Sequence, residues 1–255
     1  MKTNTEEKFS NFFEKWMSQL EEYVQLHLTL EKEKSHVEEG NYIALVNKLT
    51  QHHKDYYTAK WAGAHGDVLA FFTPVWLSPL ENAYLWITGW KPSMIFRLVD
   101  SLWKNAKVVG AATLADLSED QVIKIARLRG RIRMEEEKVE REMERQQVAM
   151  ADRKMVELAR LVSVIKNGEH PATGAASSTE IDGLVEMAIK GLLAGLENVM
   201  KMADCVRLKT LKGVMDVLSP KQSVNFLAAS SMLLIQMRKW GKKIENRCIN
   251  QIENQ

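Results

Sequence analysis

The chain has 255 residues, 45% of them hydrophobic, and its 35 basic and 33 acidic side chains leave a net charge of +2. That is enough apolar material for a sizeable core and too little charge for a general pull toward nucleic acid or an anionic membrane, so either role would need a local basic patch. Cys205 and Cys248 form neither a CxxC pair nor a zinc framework. No apolar run approaches the ~20 residues that cross a bilayer, and the charged start carries no apolar signal region. The expectation is a reduced, soluble protein of the cytoplasm or nucleus, with a peripheral plasma-membrane contact left open.

Helical spacing is evident from the start. Phe9, Phe12, Phe13, Trp16, Leu20, Tyr23 and the run 26–30 line one side of a helix from Glu6 to about Lys34. Tyr42, Leu45, Val46, Leu49, His53, Tyr56, Tyr57 and Trp61 repeat the pattern. Ser78-Pro79-Leu80-Glu81 reads as a capping box with proline in the first turn; Ser118-Glu119-Asp120-Gln121 and Ser219-Pro220-Lys221-Gln222 are two more. Gly89 is expected to end the helix that starts at Pro79, and Pro92 to permit the next.

No proline interrupts Leu117 to Lys166, where Ile125, Leu128, Ile132, Val139, Met143 and Met150 fall at steps of three, four or seven. As one straight helix this stretch would run roughly 75 Å, at about 1.5 Å per residue. A compact chain of this length has a radius of gyration of about 18 Å. The helix must therefore project or bend, with Gly130 the expected weak point. Its dense mixed charges, Glu135, Glu136 and Glu137 among Arg131, Arg133 and Lys138, fit a solvated helix laced with i,i+4 pairs or a coiled-coil arm for a partner. Residues 167–179, NGEHPATGAASST, read as a flexible linker. Helices over Glu180–Leu218 and Pro220–Ile252 follow, and no segment alternates as a strand. The fold class is all-α: a single helical bundle domain over 9–250 with one long, charged, protruding or bent helix, between tails at 1–8 and 251–255.

Catalysis finds no foothold. There is no Walker A motif, GxSxG, GxGxxG or kinase signature. The histidines, His27, His36, His52, His53, His65 and His170, make no HExxH, and the adjacent pair His52–His53 points about 100° apart on a helix. No catalytic residue and no metal site is expected, and the chain is read as a non-enzyme.

Four blocks together resemble one family. Ser78–Leu102, SPLENAYLWITGWKPSMIFRLVDSL, is similar to the central signature of the plant Delay of Germination domain, which also forms the C-terminal half of the TGA class of bZIP transcription factors. Asn11–Gln19 resembles its N-terminal helix, and Leu114–Leu128 followed by Glu135–Lys138 its long helix. Ala203–Ala229 followed by Trp240-Gly241 resembles its C-terminal pair. The match runs from about Phe9 to Arg247. The large apolar groups of the signature, Trp76, Leu80, Leu85, Trp86, Trp90, Phe96 and Leu98, are expected to be mostly core.

The resemblance implies a regulator that binds a protein partner: a type 2C protein phosphatase in seed dormancy and abscisic acid signalling. Two alternatives come from other branches: an inaperturate-pollen-type factor marking plasma-membrane domains for pollen apertures, with a membrane-domain protein or kinase as partner, and a transcriptional cofactor. No basic helix with heptads precedes the domain in this sequence, so direct sequence-specific DNA binding is not expected. The family's germination regulator is associated with haem through two histidines four apart on the last helix. Aligned on Met237 and Trp240-Gly241, those positions are Leu234 and Arg238 here, so haem, and any other cofactor, is not expected.

Two surfaces are candidates for partner binding. On the first helix Phe12, Phe13, Trp16 and Met17 either pack into the bundle or present helix-in-groove anchors. Near the C-terminus Arg238, Lys239, Lys242, Lys243 and Arg247 flank Trp240 and Ile244, opposed by Glu245 alone. That basic face either complements the helix dipole or contacts calmodulin, an anionic membrane surface or phosphates. A homo-oligomer is left open.

Overall fold

The computed structural model describes residues 3–32, 38–104, 114–166 and 178–253, and among them the architecture is all-α. The chain divides into two compact units, Met1–Glu136 with Ala203–Gln255, and Glu137–Met202. Most of the expected linker, residues 167–177, lies outside the described residues, as do residues 1–2 and 254–255 of the expected tails; the rest of those tails is largely helical, 4–8 in the first helix and 251–253 in the last, and Ser178 and Thr179 are helical too.

The first unit is built around α1 (Asn4–Lys32), α2 (Glu39–Gly66) and α9 (Pro220–Glu253). Thr3 and Glu6 cap α1 reciprocally, the Glu6 amide donating to Thr3 Oγ1 at 3.2 Å and the Thr3 amide to Glu6 Oε2 at 2.6 Å. Phe9, Phe13, Trp16, Leu20, Val24 and His27 then bury one stripe at steps of three and four. α1 runs antiparallel to α2, because Thr3 reaches Asp67 while Trp16 reaches His52. It also runs antiparallel to α9: His27 meets Asn225 where Glu14 meets Arg238.

Short helices α3 (Leu69–Phe72), α4 (Pro79–Ala83) and α5 (Met94–Lys104) lie between, followed by α6 (Glu119–Ala149). The capping box at Ser78 is fully formed, but α4 ends after five residues, well short of Gly89. The chain turns instead through Tyr84–Lys91, with Trp86 and Gly89 bridged backbone to backbone at 2.7 Å. The other two expected caps form as well, and they interlock: Gln121 Nε2 donates to Gln222 Oε1 at 2.8 Å. Gly241 lets α9 rest directly on the start of α4, since a Cβ there would stand 2.0 Å from Ser78 Oγ.

The second unit holds the rest of α6, then α7 (Arg153–Lys166) and the first part of α8 (Ser178–Met215), whose remainder belongs to the first unit. Gly130 does not break α6. The break falls at a turn through Met150–Asp152, where the Ala151 and Asp152 amides bond back to Val148 and Ala149. Ile125, Leu128 and Ile132 are buried around Gly130, and their packing outweighs its ~1 kcal/mol propensity cost. Val139, Ile181, Val199 and Met200 are buried, and Gly195 admits Gln146, whose Oε1 stands 2.0 Å from where a Cβ would lie.

Candidate functional site

The most recognisable segment of the sequence is tied down from beneath by ionic side chains. Arg207 on α8 donates from Nη2 to the Trp86 and Ile87 carbonyls and from Nε to the Trp90 carbonyl. Its Nη1 meets Asp204 Oδ1 at 2.5 Å. From α2, Lys60 donates to the Thr88 carbonyl at 3.0 Å, to Thr88 Oγ1 at 2.9 Å and to Asp204 Oδ1 at 2.8 Å. Trp61 Nε1 takes the other Asp204 oxygen at 3.0 Å. Lys60, Asp204 and Arg207 are each at most 1% exposed.

This network explains the loop. Ile87 and Thr88 sit at φ 41° and 62°, a left-handed region costly for β-branched residues. Bonds to the carbonyls of Trp86, Ile87, Thr88 and Trp90 hold them there. Gly89 is required for close approach, because a Cβ would come within 2.9 Å of Arg207 Cζ. Burial pulls the Lys60 ammonium down to about 8, with Arg207 adding to that shift and Asp204 opposing it. The cluster spends its donors on backbone carbonyls, the Thr88 hydroxyl and one carboxylate, so its work is structural. In the signature Trp76 and Phe96 are buried, while Leu80, Leu85, Trp86, Trp90 and Leu98 are half-buried.

The α1 anchors are corrected by the structure. Phe13, Trp16 and Met17 are buried, and only Phe12 is half-exposed. Trp16 lies flat on the His52 ring, with centroids 4.7 Å apart and planes 1° from parallel. Its indole Nε1 donates to the His52 carbonyl at 2.9 Å, and His52 Nε2 donates to the Trp16 carbonyl at 3.0 Å. These paired bonds commit Trp16 to the α1–α2 contact. Burial, with help from His53, pulls the His52 imidazole down to about 4, and burial lowers His53 as well. Burial also pushes the Tyr56 and Tyr57 phenols up.

The basic face is corrected too. Arg238 is not on the surface: it is 6% exposed, paired with Glu14 and Glu81, bonded to the Trp76 carbonyl and set 4.8 Å over the Phe13 ring. Lys239 pairs with Glu21 at 3.0 Å and Lys242 with Glu14 at 3.7 Å. The acids that answer these cations come from α1 and α4, more than 150 residues away in sequence, so sequence proximity showed only Glu245. Lys243 and Arg247 are exposed and make no ion pair among the described residues. Leu234, the other position the resemblance equates with a haem histidine, is half-buried.

An apolar pocket of about 510 Å³ opens between α2, the end of α8 and the start of α9, lined by Ile43, Val46, His53, Leu211, Met215 and Leu227. Among the described residues no cluster of His, Cys, Asp and Glu could hold a metal ion, and no helix is long and apolar enough to cross a membrane.

The described residues form an all-helical module whose buried ionic clamp fixes the signature loop. The comparisons then give its kinship. A family model described as seed dormancy control matches residues 25–101. The chain is 50% identical over 243 residues to the protein DOG1-like 4 of Arabidopsis thaliana, covering 95% of this chain and 96% of that one. It is 27% identical to the protein RESPONSE TO ABA AND SALT 1 of the same plant, over 92% of this chain and 96% of that one. At 24% identity it also matches Arabidopsis thaliana transcription factor TGA5, over 80% of this chain and 55% of that factor. The chain belongs to the DOG1 family, and a plant regulatory role follows.

Proposed function

We propose that this chain is a non-catalytic regulator that acts by binding a signalling protein, a type 2C protein phosphatase, in seed dormancy or abscisic acid responses. The observation that carries this reading is the end-to-end 50% identity to a DOG1-like protein, joined by the similarity to a relative named for its response to abscisic acid and salt. A bound regulator would act by covering or relocating the phosphatase. Titration of the full chain with a purified type 2C phosphatase, followed by calorimetry, is expected to give a one-to-one complex of micromolar or tighter affinity and a fall in phosphatase activity. The absence of heat and of inhibition at concentrations near 100 µM would remove the phosphatase from the account. A second reading, a transcriptional cofactor working through a bound DNA-binding factor, is favoured by the match to TGA5. It predicts reporter activation only when such a factor is co-expressed.

A further inference from the structure

The outer face of α9 carries the feature that the fold leaves unexplained. Leu233, Met237, Trp240 and Ile244 stand at i, i+4, i+7 and i+11, which places them on one seam about 16 Å long, near three helical turns. Trp240 is 54% exposed, Ile244 48% and Leu233 43%. Among the described residues the Trp240 indole has no hydrogen bond and no ring contact, unlike Trp16, Trp61 and Trp76. An exposed tryptophan with an exposed arginine, Arg247, two turns along the same face is the composition of an interface hot spot.

Charge specifies what belongs there. Along one edge of the seam run Gln236, Lys243 and Arg247, with Lys239 farther round. Arg238, Lys239 and Lys242 have partners within the protein. The cations left over are Lys243 and Arg247, the two beside Trp240 and Ile244. The helix dipole does not account for them: α9 runs to Glu253, so Arg247 lies outside the last turn, where that effect is felt. An apolar seam three turns long with a cationic border fits a helix of matching length whose apolar stripe is bordered by Asp and Glu.

We infer that the seam Leu233–Met237–Trp240–Ile244 is a docking surface for an acidic amphipathic helix of a partner protein, with Lys243 and Arg247 selecting its charge. The inference rests on the partner-binding reading above and names the chemistry of the contact. It does not require that the partner be a phosphatase.

The test uses the full chain and a designed, fluorescein-labelled 18-residue helical peptide with leucines at matching spacing and glutamates along the border. A second peptide replaces each glutamate by lysine. Fluorescence anisotropy is expected to show the acidic peptide binding at least tenfold more tightly than the basic one, with the difference shrinking as salt rises. Trp240→Ala should weaken acidic-peptide binding about tenfold at an unchanged thermal midpoint. The Lys243→Glu, Arg247→Glu double variant should invert the peptide preference. Equal binding of the two peptides, no binding of either, or no effect of Trp240→Ala would overturn the inference. So would co-sedimentation with phosphatidylserine vesicles that Trp240→Ala abolishes while peptide binding stays intact, which would assign the seam to a membrane surface. A phosphatase that fails to bind while the acidic peptide still does would refute the phosphatase reading alone.

Discussion

α1 and the end of α9 look alike in sequence. Each carries an aromatic anchor among charges, at helical spacing. In the folded protein they are opposites. Phe13, Trp16 and Met17 point inward, and Trp16 is fixed by stacking and two hydrogen bonds to His52. Trp240 points outward with no such partner among the described residues, and Lys243 and Arg247, which make no ion pair among those residues, lie beside it. The difference lies in what stands opposite each helix. α1 turns its aromatic stripe into α2 and α9 and leaves mainly charged and polar residues exposed, whereas α9, packed by α1, α2, α4 and α5, still leaves Leu233, Trp240 and Ile244 exposed. Aromatic content alone does not separate a core stripe from a docking seam.

That comparison can be strained at its buried side first. Asp204→Ala would leave Lys60 and Arg207 buried without their anion and release the grip on the Ile87–Thr88 turn. Breaking a buried ion pair by removing one partner costs about 3–5 kcal/mol, so urea denaturation should show a loss of that size. A loss below about 1 kcal/mol would mean that the cluster is solvated rather than structural.

The second strain is pH. His52 is held neutral, with its pKa near 4 against an ordinary value of 6.5. The unfolded chain takes up a proton as pH falls below about 6.5, and the folded chain does not until about 4. The stability associated with this site is therefore complete above pH 6.5 and is lost progressively between 6.5 and 4. The shift corresponds to roughly 3 kcal/mol. His52→Gln should flatten the decline of the thermal midpoint over that window relative to the wild type; parallel curves would place the acid sensitivity elsewhere.

A third, smaller effect lies where α9 meets α4. Gly241→Ala forces a Cβ against Ser78 Oγ, the hydroxyl that caps α4. Overpacking and a disturbed cap should cost about 1–3 kcal/mol, measured by chemical denaturation, with peptide binding at the outer seam unaffected.

The all-α class and most helices were legible because their signals are local. Capping boxes at Ser78, Ser118 and Ser219 need only residues three apart, and each formed as written. What was not legible depends on distant partners. Lys60 and Asp204 are separated by 144 positions and Arg238 and Glu14 by 224, so nothing near Arg238 marked it as buried. The end of α4 at Ala83 was hidden for the same reason, since Arg207 and Lys60 hold the turn that replaces further helix. Of the basic face, Lys239, Lys242, Lys243 and Arg247 are exposed, while Arg238 serves the fold.

The most direct measurement compares the thermal midpoints of Trp16→Ala and Trp240→Ala with that of the unchanged chain. Truncating a buried tryptophan costs about 3–5 kcal/mol, which in a protein of this size lowers the midpoint by about 10 °C. Loss of an exposed one stays within about 0.5 kcal/mol, or 1–2 °C. A large drop for Trp16→Ala with almost none for Trp240→Ala is the predicted result. An equal drop for both, or a drop for Trp240→Ala alone, would contradict the assignment of α1 to the core and of α9 to the surface.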